Sequence, residues 1–304
     1  MHFVPDVRED LARRDFTINA MAYNEKEGLV DPFGGQADLQ SGIVRAVGVP
    51  RQRFTEDALR ILRLYRFAAR FGFAIDPPTA QAAQELCAHL DCVSVERIEE
   101  ELAKLLSAPA PAAYLDEKIL GVVLPELSPE ALAAAKPVVD ACPAGEQALP
   151  VRLAALLLSL GEDGTRRTLR RLRCSNACIE ETAVLVREVV SGVPVSLNIY
   201  ARRLLGKYNL CTVQRIAALG TALQPERSAD FAALSELAEQ LDADGVCCRV
   251  SQLAVNGRDL MAAGVPAGPG IRKVLEALLD GVIREEYPNE RQALLIAVQQ
   301  LAAS

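Results

Sequence analysis

The sequence contains no tryptophan and two histidines, and aromatic residues make up 5% of its 304 positions. So few aromatic side chains argue against a protein that binds nucleic acid by extensive base stacking. His2 and His89 lie far from any pair of cysteines, and the eight cysteines are scattered, so no zinc site is expected. Cys174 and Cys178 have the spacing of neighbours on a helix. Scattered thiols of this kind are typical of a reducing cytoplasm.

Long hydrophobic runs are also absent. The longest, from Pro150 to Leu160, is interrupted by Arg152 and is shorter than the ~20 residues of a membrane helix. The first ten residues do not have the charged and apolar regions of a signal peptide. We therefore expect a cytoplasmic protein without a membrane partner.

Positive charge is not in excess. The 33 Lys and Arg residues face 40 Asp and Glu residues, which gives a net charge of −7. This balance excludes a chain coated in positive charge, but it does not exclude a local basic face. The acidic excess lies beyond residue 70, so a site for polyanions is expected near the N-terminus or in small sites lined by backbone.

Two kinds of sequence follow one another along the chain. Short runs at 20–24, 29–31 and 43–47 are typical of strands and are separated by turn-forming residues. From residue 55 onward nearly every segment has helical periodicity. The sequence predicts a mostly α protein, with a small α/β head followed by an all-helical array. Three short strands make a marginal sheet, and we expect the front half of that sheet to be missing from this sequence.

The first candidate site lies in residues 13–20. Asp15 and Asn19 are four residues apart, and a carboxylate beside an amide suits the hydroxyls of a ribose. The arginines before them are suited to phosphate oxygens. An equally good interpretation is that Asp15 caps a helix and the arginines lie in solvent.

The second candidate site lies in a predicted helix over residues 55–71. One side of this helix is apolar, and a solvated basic face would be the ordinary explanation of the other. The apolar residues Leu59, Leu64 and Phe67 interleave with the charges, which favours a face covered by something other than water. The charged side consists of Glu56, Asp57, Arg60, Arg63, Arg66 and Arg70.

Asp57 and Arg60 are a pair with complementary hydrogen-bonding properties. Ionised aspartate only accepts hydrogen bonds and arginine only donates them. The base-pairing edges of cytosine and adenine offer an amine donor beside a ring-nitrogen acceptor, whereas uracil and guanine reverse this order. Such a pair would accept C and A and reject U and G, because a mismatch leaves buried polar groups unpaired.

Three motifs together carry a resemblance to a known family. They have the order and spacing seen in the bacterial class II tRNA nucleotidyltransferases, the CCA-adding enzymes, which are close relatives of bacterial poly(A) polymerase. The motifs are Arg13-Arg14-Asp15-Phe16-Thr17-Ile18-Asn19-Ala20, Asp31-Pro32-Phe33-Gly34-Gly35 and Glu56-Asp57-Ala58-Leu59-Arg60-Ile61-Leu62-Arg63. The resemblance is specific over residues 9–75 and continues more weakly to the C-terminus.

The resemblance implies an activity and partners. A member of this family adds CCA to the 3′ end of tRNA, using CTP, ATP and Mg²⁺. A poly(A) polymerase is the alternative enzyme, and a non-catalytic RNA-binding helical module is the alternative from another class. The family's architecture implies a head at 1–50, a neck at 51–107, a degenerate HD-like body at 108–195 and a tRNA-binding tail at 196–304. A homodimer is left open.

The resemblance also implies roles for seven residues of the two candidate sites. In the family, the arginine-aspartate motif binds triphosphate and ribose, and the glutamate-aspartate-arginine helix templates the incoming base. Carried over, Arg14 would contact phosphate, Asp15 and Asn19 would hold ribose, Asp57 and Arg60 would read the base, and Arg63 and Arg66 would face the triphosphate.

Two departures from related proteins limit these expectations. The family's metal-binding Asp-x-Asp pair does not occur in the expected place, and the only Asp-x-Asp, Asp242-Ala243-Asp244, is predicted to end a helix. Because phosphoryl transfer depends on metal ions, we expect no metal ligands in this chain and no catalysis by the chain alone. The segment 151–161 resembles the start of an HD phosphohydrolase domain, but Leu158 and Ser159 replace the metal-binding His-Asp pair, which predicts a core helix.

A glycine-rich loop in the tail is the last candidate. The loop opens a predicted helix at Pro269, and such a loop exposes backbone N–H groups to an anion. An ordinary helix-capping loop is one interpretation, and binding to the tRNA backbone is the other, because it would let an acidic protein hold RNA through few phosphate contacts. The residues predicted to bind RNA are Arg258, Gly268, Gly270, Arg272 and Lys273.

Overall fold

The computed structural model of the protein describes residues 7–190 and 196–303. They fall into two compact units, one ending at Val190 and one beginning at Ser191. The described residues are mostly helical with a few short strands, which confirms the predicted fold class. The predicted body ends at residue 195, which lies outside the described residues, and the division into four parts stays a prediction.

The first unit begins with a small mixed region and continues as helices. Its helices α1 to α11 are Val7–Ala12, Gly35–Ser41, Pro50–Glu56, Leu59–Phe71, Pro77–Leu86, Val95–Leu106, Glu117–Val123, Pro129–Ala141, Leu149–Leu157, Gly161–Arg171 and Asn176–Val190. Several of these helices are preceded by a residue whose side chain accepts a hydrogen bond from a backbone N–H of the first turn. Asp76 does so for α5 and Asp116 for α7.

Within the described residues, four short strands form two separate two-stranded sheets. Ala22–Asn24 (β1) and Gly28–Val30 (β2) form an antiparallel hairpin, and Asn24 Oδ1 accepts hydrogen bonds from the N–H groups of Lys26 and Glu27 in its turn. Ile43–Val44 (β3) pairs in parallel with Ala74–Ile75 (β4). Strands β1 and β3 fall within the runs that the sequence indicates and β2 overlaps the run 29–31, whereas β4 was not expected, because two residues carry no periodicity.

The predicted helix over 55–71 is two helices rather than one. Helix α3 ends at Glu56, Asp57 has an extended backbone (φ −151°, ψ 102°), and α4 begins at Leu59. The prediction was wrong here because the carboxylate of Asp57 accepts a hydrogen bond from the backbone N–H of Leu59 at 3.1 Å, which favours a helix start. Asp57 therefore lies at a junction, and not on the face of one continuous helix with Arg60.

Helix α4 contacts several elements of the first unit. It packs against α6 and the β3–β4 pair, and it ends at Gly72, whose φ of +69° is in the left-handed region that favours glycine. Leu59 and Leu64 are buried within the protein itself. Burial by the chain therefore explains two of the three interleaved apolar residues, and Phe67 remains at the surface of a cavity.

Helix α9 is a core helix, as predicted for segment 151–161, but it ends at Leu157, and Leu158 and Ser159 lie in a following 3-10 turn without buried residues. Residues 151–157 are all buried. Arg152, whose residue is 0% exposed, donates hydrogen bonds to the backbone carbonyls of Leu106, Ala108, Pro109 and Cys142. This arginine fixes the end of α6 and the segment after it by satisfying carbonyl groups that no helix satisfies.

The second unit is formed by helices. They are α12 to α17: Leu197–Lys207, Leu210–Leu223, Ser228–Ala243, Gly257–Ala262, Pro269–Ile283 and Arg291–Ala303. One hydrophobic cluster, which includes Leu260, Leu278 and Leu294, joins α15, α16 and α17. Asp242 and Asp244 lie at the end of α14 before Gly245, whose φ is +63°, as predicted for a helix terminus.

No helix among the residues that the structure describes has both the length and the apolar character needed to cross a membrane.

Candidate nucleotide-binding site

A cavity of about 530 Å³ opens between the segment before β1 and the junction of α3 and α4. A cavity of this size is within the range of small-molecule sites. It gathers six of the seven side chains predicted to bind nucleotide. The lining residues are Arg13, Arg14, Asp15, Asn19, Asp57, Arg60, Arg63 and Phe67.

The glycine-rich motif after β2 holds the wall that carries Asp15. The carboxylate of Asp31 accepts hydrogen bonds from the N–H groups of Gly35 (2.7 Å) and Gln36 (2.9 Å), which starts α2. A Cβ at Gly35 would lie 2.1 Å from the carbonyl oxygen of Thr17, so only glycine allows this approach. Thr17 Oγ1 donates to Asp38 of α2 at 2.7 Å. The motif at residues 31–35 thus positions the motif at residues 13–20.

Asp15 is a buried carboxylate in the centre of this wall, with 7% of the residue exposed. Its Oδ1 atom accepts hydrogen bonds from the backbone N–H of Phe16 (2.9 Å) and from Asn19 Nδ2 (3.2 Å). Arg63 Nε donates to Oδ2 at 2.8 Å. The structure therefore brings Asp15 and Asn19 together, and it adds a link to α4 that the sequence did not predict.

Two arginines with half-exposed side chains lie at the open side of the cavity. Asp10 of α1 forms ion pairs with Arg13 (3.2 Å) and Arg14 (3.0 Å). The hydrogen bond from Arg14 is the largest cause that holds the pKa of Asp10 below its ordinary value. Both guanidinium groups are thus oriented by one carboxylate, and both are accessible to an anion from solvent.

Arg60 and Asp57 line the same cavity, and each is held by other residues. Arg60 donates from Nη1 to Glu56 Oε2 (2.9 Å) and to the carbonyl of Arg53 (3.1 Å), and from Nη2 to the carbonyl of Arg13 (2.9 Å). Because a guanidinium has five N–H donors, two remain. The carboxylate of Asp57 accepts from Leu59 N–H and from Arg97 Nη2 (2.8 Å), which leaves lone pairs free on both oxygens.

Arg66 is the one predicted nucleotide-binding residue that the structure does not bring to the cavity. It forms an ion pair with Glu101 of α6 at 2.7 Å, and both side chains are nearly buried. Its guanidinium also lies 3.9 Å from the centre of the Phe67 ring. Burial is the largest cause that lowers the pKa of Arg66, and Glu101 opposes it. An acidic partner on α6 thus takes this side chain to the interface of α4 and α6.

The tail loop borders a different kind of cavity. This second-unit cavity, of about 640 Å³, is lined by residues 263–270 together with Val274, Val298 and Gln299, so it is mainly apolar. Gly268 and Gly270 lie in its wall, and Pro269 is in the first turn of α16, as predicted. The lining does not include Arg258, Arg272 or Lys273, all of which are exposed, and Arg272 pairs with Glu276 at 2.8 Å.

Magnesium, which the resemblance implies, does not fit the side chains present. Within residues 7–190 and 196–303, no three or more His, Cys, Asp and Glu side chains are grouped so that they could hold a metal ion. Asp242 and Asp244 belong to a helix end in the second unit, and the cavity of the first unit contributes two carboxylates that are each bound to an arginine.

Sequence reasoning missed several residues that shape the cavity. Arg53 and Glu56 hold Arg60, and Arg97 holds Asp57. Glu56 belongs to the same motif as Arg60 and lies four residues before it, so a local signal existed. Arg97 is 40 residues from Asp57, and only the packing of α6 brings the two together.

Three family models match parts of the chain. They are described as the poly A polymerase head domain, over residues 1–45, the RNA and SrmB-binding site of polymerase A, over residues 72–130, and tRNA nucleotidyltransferase domain 2, over residues 151–298. The first two matches lie in the first unit, and the third begins in the first unit and continues into the second.

Curated relatives and solved structures agree with these matches. The CCA-adding enzyme of Limosilactobacillus fermentum is 34% identical over 314 residues, covering 98% of this chain and 73% of that protein. The enzyme of Geobacillus stearothermophilus is 32% identical over 96% of this chain and 72% of that protein. The crystal structure of the Bacillus stearothermophilus CCA-adding enzyme in complex with CTP is 29% identical, with a TM-score of 0.85 over 99% of this chain and 76% of that one.

Fold and site thus define a nucleotidyltransferase of tRNA processing, with a small head and a long helical array. The relatives make the assignment specific. The chain belongs to the family of CCA-adding enzymes.

Proposed function

We propose that this chain supplies the nucleotide-selecting and tRNA-holding parts of an enzyme that adds CCA to the 3′ end of tRNA from CTP and ATP. The observation that carries the proposal is that Asp57 and Arg60 line one cavity with Arg14, Asp15 and Asn19. Acceptors and donors for a base, a ribose and phosphates thus lie within the reach of one nucleotide.

Base selection follows from the hydrogen bonds that remain free. Asp57 accepts the exocyclic amine of cytosine or adenine, and the two free N–H donors of Arg60 meet the ring nitrogen and, in cytosine, the carbonyl. Uracil and guanine present a carbonyl toward Asp57 and an N–H beside it, so the same contacts become repulsive. Asp15 with Asn19 holds the ribose, and Arg13 and Arg14 exchange Asp10 for phosphate oxygens.

Equilibrium binding of the four nucleotides to the 304-residue chain tests this assignment. CTP and ATP are expected to bind more tightly than UTP and GTP, and Asp57→Ala is expected to abolish this preference. Glu100→Ala is the matched control, because Glu100 is an exposed carboxylate of α6 that does not line the cavity. An unchanged C and A preference in Asp57→Ala would contradict base reading by Asp57.

We further propose that the 304-residue polypeptide does not transfer nucleotides by itself. The support is chemical, since transfer needs metal ions to neutralise developing charge and the described side chains form no metal site. The chain, Mg²⁺, CTP, ATP and a tRNA without CCA are expected to give no incorporation. Incorporation that requires Mg²⁺ would contradict this part of the proposal.

The poly(A) polymerase alternative is favoured by the descriptions of the two N-terminal family models. An incorporation assay on the chain joined to a segment that carries an Asp-x-Asp pair separates the two functions. Incorporation of C and then A supports CCA addition, whereas incorporation of A alone supports polyadenylation. Filter binding of tRNA by the 304-residue chain at moderate salt, without nucleotide, tests the RNA-holding part.

A further inference from the structure

We propose that Arg97 is a positioning residue that orients the base-reading carboxylate of Asp57 and thereby sets the choice between C and U. This inference rests on the proposed function, because it assigns a support to a side chain that the proposal places against the base. Arg97 does not line the nucleotide cavity. It acts through Asp57 alone.

The backbone around Asp57 leaves its side chain with little support. The residue lies between α3 and α4 with an extended backbone, and 34% of its side chain is exposed. One oxygen, Oδ1, accepts the N–H of Leu59 at 3.1 Å, and this bond alone allows the carboxylate plane to turn about it. The second oxygen needs another donor if the plane is to be fixed.

Arg97 supplies that donor from a different helix. It lies in the first turn of α6, and its Nη2 atom is 2.8 Å from Asp57 Oδ2. Glu101, one turn further along α6, holds Arg66 of α4 at 2.7 Å. Because α6 is tied to α4 in this way, the guanidinium of Arg97 is presented to Asp57 from a firmly packed element.

The two members of the base-reading pair thus have separate supports. Arg60 is held by Glu56 and by two backbone carbonyls, and its side chain is 17% exposed. Asp57 is held by Leu59 N–H and Arg97. Loss of Arg97 therefore frees the acceptor of the pair and leaves the donor in place.

A second cavity also has Asp57 in its lining. This cavity has a volume of about 540 Å³ and shares Asp57 with the nucleotide cavity. Its other lining residues include Thr55, His89, Ser94 and Arg97. Asp57 thus lies in the wall between two cavities, and the contact with Arg97 fixes which of its lone pairs face the nucleotide.

Nucleotide binding to the 304-residue chain carrying Arg97→Ala, Arg97→Lys or Arg171→Ala tests the inference. Arg171 is the matched control, because it forms an ion pair with Glu126 in the same unit and their side chains are 40% and 31% exposed, against 52% and 34% for Arg97 and Asp57. Dissociation constants for CTP and UTP are measured together with the melting temperature.

Arg97→Ala is expected to weaken CTP binding about tenfold, the equivalent of one good hydrogen bond, and to leave UTP binding within about twofold. The melting temperature changes little, because exposed ion pairs add little stability. Arg97→Lys keeps the positive charge but lacks the forked N–H donors of a guanidinium. It is expected to recover part of the preference for CTP over UTP. Arg171→Ala leaves the preference unchanged.

Other results separate the two proposals. A CTP preference that survives Arg97→Ala but is lost in Asp57→Ala overturns the role of Arg97 and leaves the proposed function standing. Equal weakening of CTP and UTP in Arg97→Ala also overturns it, since that is the effect of a merely structural contact. If the unsubstituted chain does not distinguish CTP from UTP, both proposals fail. If Arg97→Ala does not fold, the ratio of the UTP and CTP dissociation constants in Arg97→Lys tests the role of Arg97 in the same way.

Discussion

The guanidinium of Arg63 donates a hydrogen bond from Nε to the Oδ2 atom of Asp15 over 2.8 Å. This contact joins the two sequence motifs that form opposite sides of the nucleotide cavity. One side is the segment that follows α1, and the other is helix α4, 48 residues later in the chain. The cavity is therefore held together by groups that are also suited to a nucleotide.

Replacing Arg63 is expected to lower stability as well as nucleotide binding. In Arg63→Met the buried carboxylate of Asp15 keeps the N–H of Phe16 and the amide of Asn19 but loses its counter-charge. We expect the free energy of unfolding to fall by about 1–3 kcal/mol, less than for a fully buried pair because Arg63 is partly exposed. Urea denaturation measures this loss.

Arg70→Met is the control for that experiment. Arg70 is an exposed arginine of the same helix that lies 5.8 Å from the Phe71 ring and forms no ion pair with any residue that the structure describes. Its replacement is expected to change the free energy of unfolding by no more than about 0.5 kcal/mol. Equal losses in the two variants would show that the Asp15–Arg63 contact has no special part in stability.

A larger loss of stability is expected from Arg152→Met. Its removal leaves four carbonyl groups, of Leu106, Ala108, Pro109 and Cys142, without the donor that the structure gives them. Unsatisfied buried acceptors cost about 1–3 kcal/mol each, with partial relaxation, so we expect a loss of about 3–5 kcal/mol. Thermal unfolding followed by circular dichroism measures it, and a melting temperature like that of the unsubstituted chain would contradict this account.

In the tail, Arg258→Ala is expected to weaken tRNA binding and to reduce its salt dependence. Arg258 is exposed and its side chain forms no ion pair with the described residues, so it is free to contact one phosphate. Loss of one phosphate contact lowers the slope of log K against log salt by about one unit. Filter binding over a range of salt measures the slope.

Arg203→Ala is the control for the tRNA experiment. Arg203 is in the same unit, but its guanidinium is paired with Asp280 at 2.8 Å. Its replacement removes the same charge from the chain and is expected to leave the slope nearly unchanged. A slope that Arg258→Ala does not alter would favour the interpretation that the glycine-rich loop only caps α16.

Acid is expected to remove the contribution of Glu162 to stability. Its carboxylate is 2.9 Å from both Arg166 and Arg187, and the hydrogen bond from Arg166 is the largest cause that holds its pKa below the ordinary value of 4.5. A carboxyl group with a lowered pKa in the folded state stabilises it above the unfolded pKa, and this contribution disappears as pH falls through the folded pKa.

Glu162→Gln is therefore expected to destabilise the chain at neutral pH by about 1 kcal/mol or less and to have no effect below the folded pKa of Glu162. Urea denaturation at several pH values measures the difference. Asp163→Asn is the control, because Asp163 is exposed and forms no ion pair with any described residue. A difference that persists unchanged in acid would rule out an electrostatic origin.

The sequence predicted most of the candidate site because its motifs are short and local. Asp15 and Asn19 were expected to be neighbours from their spacing, and their side chains are 3.2 Å apart. The turn at Asn24, the helix end at Asp244 and the core helix α9 follow from local preferences of the same kind. Local hydrogen bonds and residue type are sufficient for such features.

The break at Asp57 shows where local reasoning failed. The periodicity of residues 55–71 is helical, yet the carboxylate of Asp57 bonds to the N–H of Leu59 and separates two helices. Aspartate is a residue that competes with the helix for backbone N–H groups, so the sequence contained a signal that the apolar periodicity outweighed.

By itself, the sequence determined which acceptors and donors line the cavity of the first unit, where most of the helices lie and to which family the chain belongs. The tertiary structure alone decided how those groups are held. It sends Arg66 to Glu101 and away from the cavity, places Arg97 against Asp57 and surrounds Arg152 with carbonyls. The reason is physical, because the partner of a long side chain depends on the angle and depth at which remote helices pack, and neighbours in sequence do not fix either.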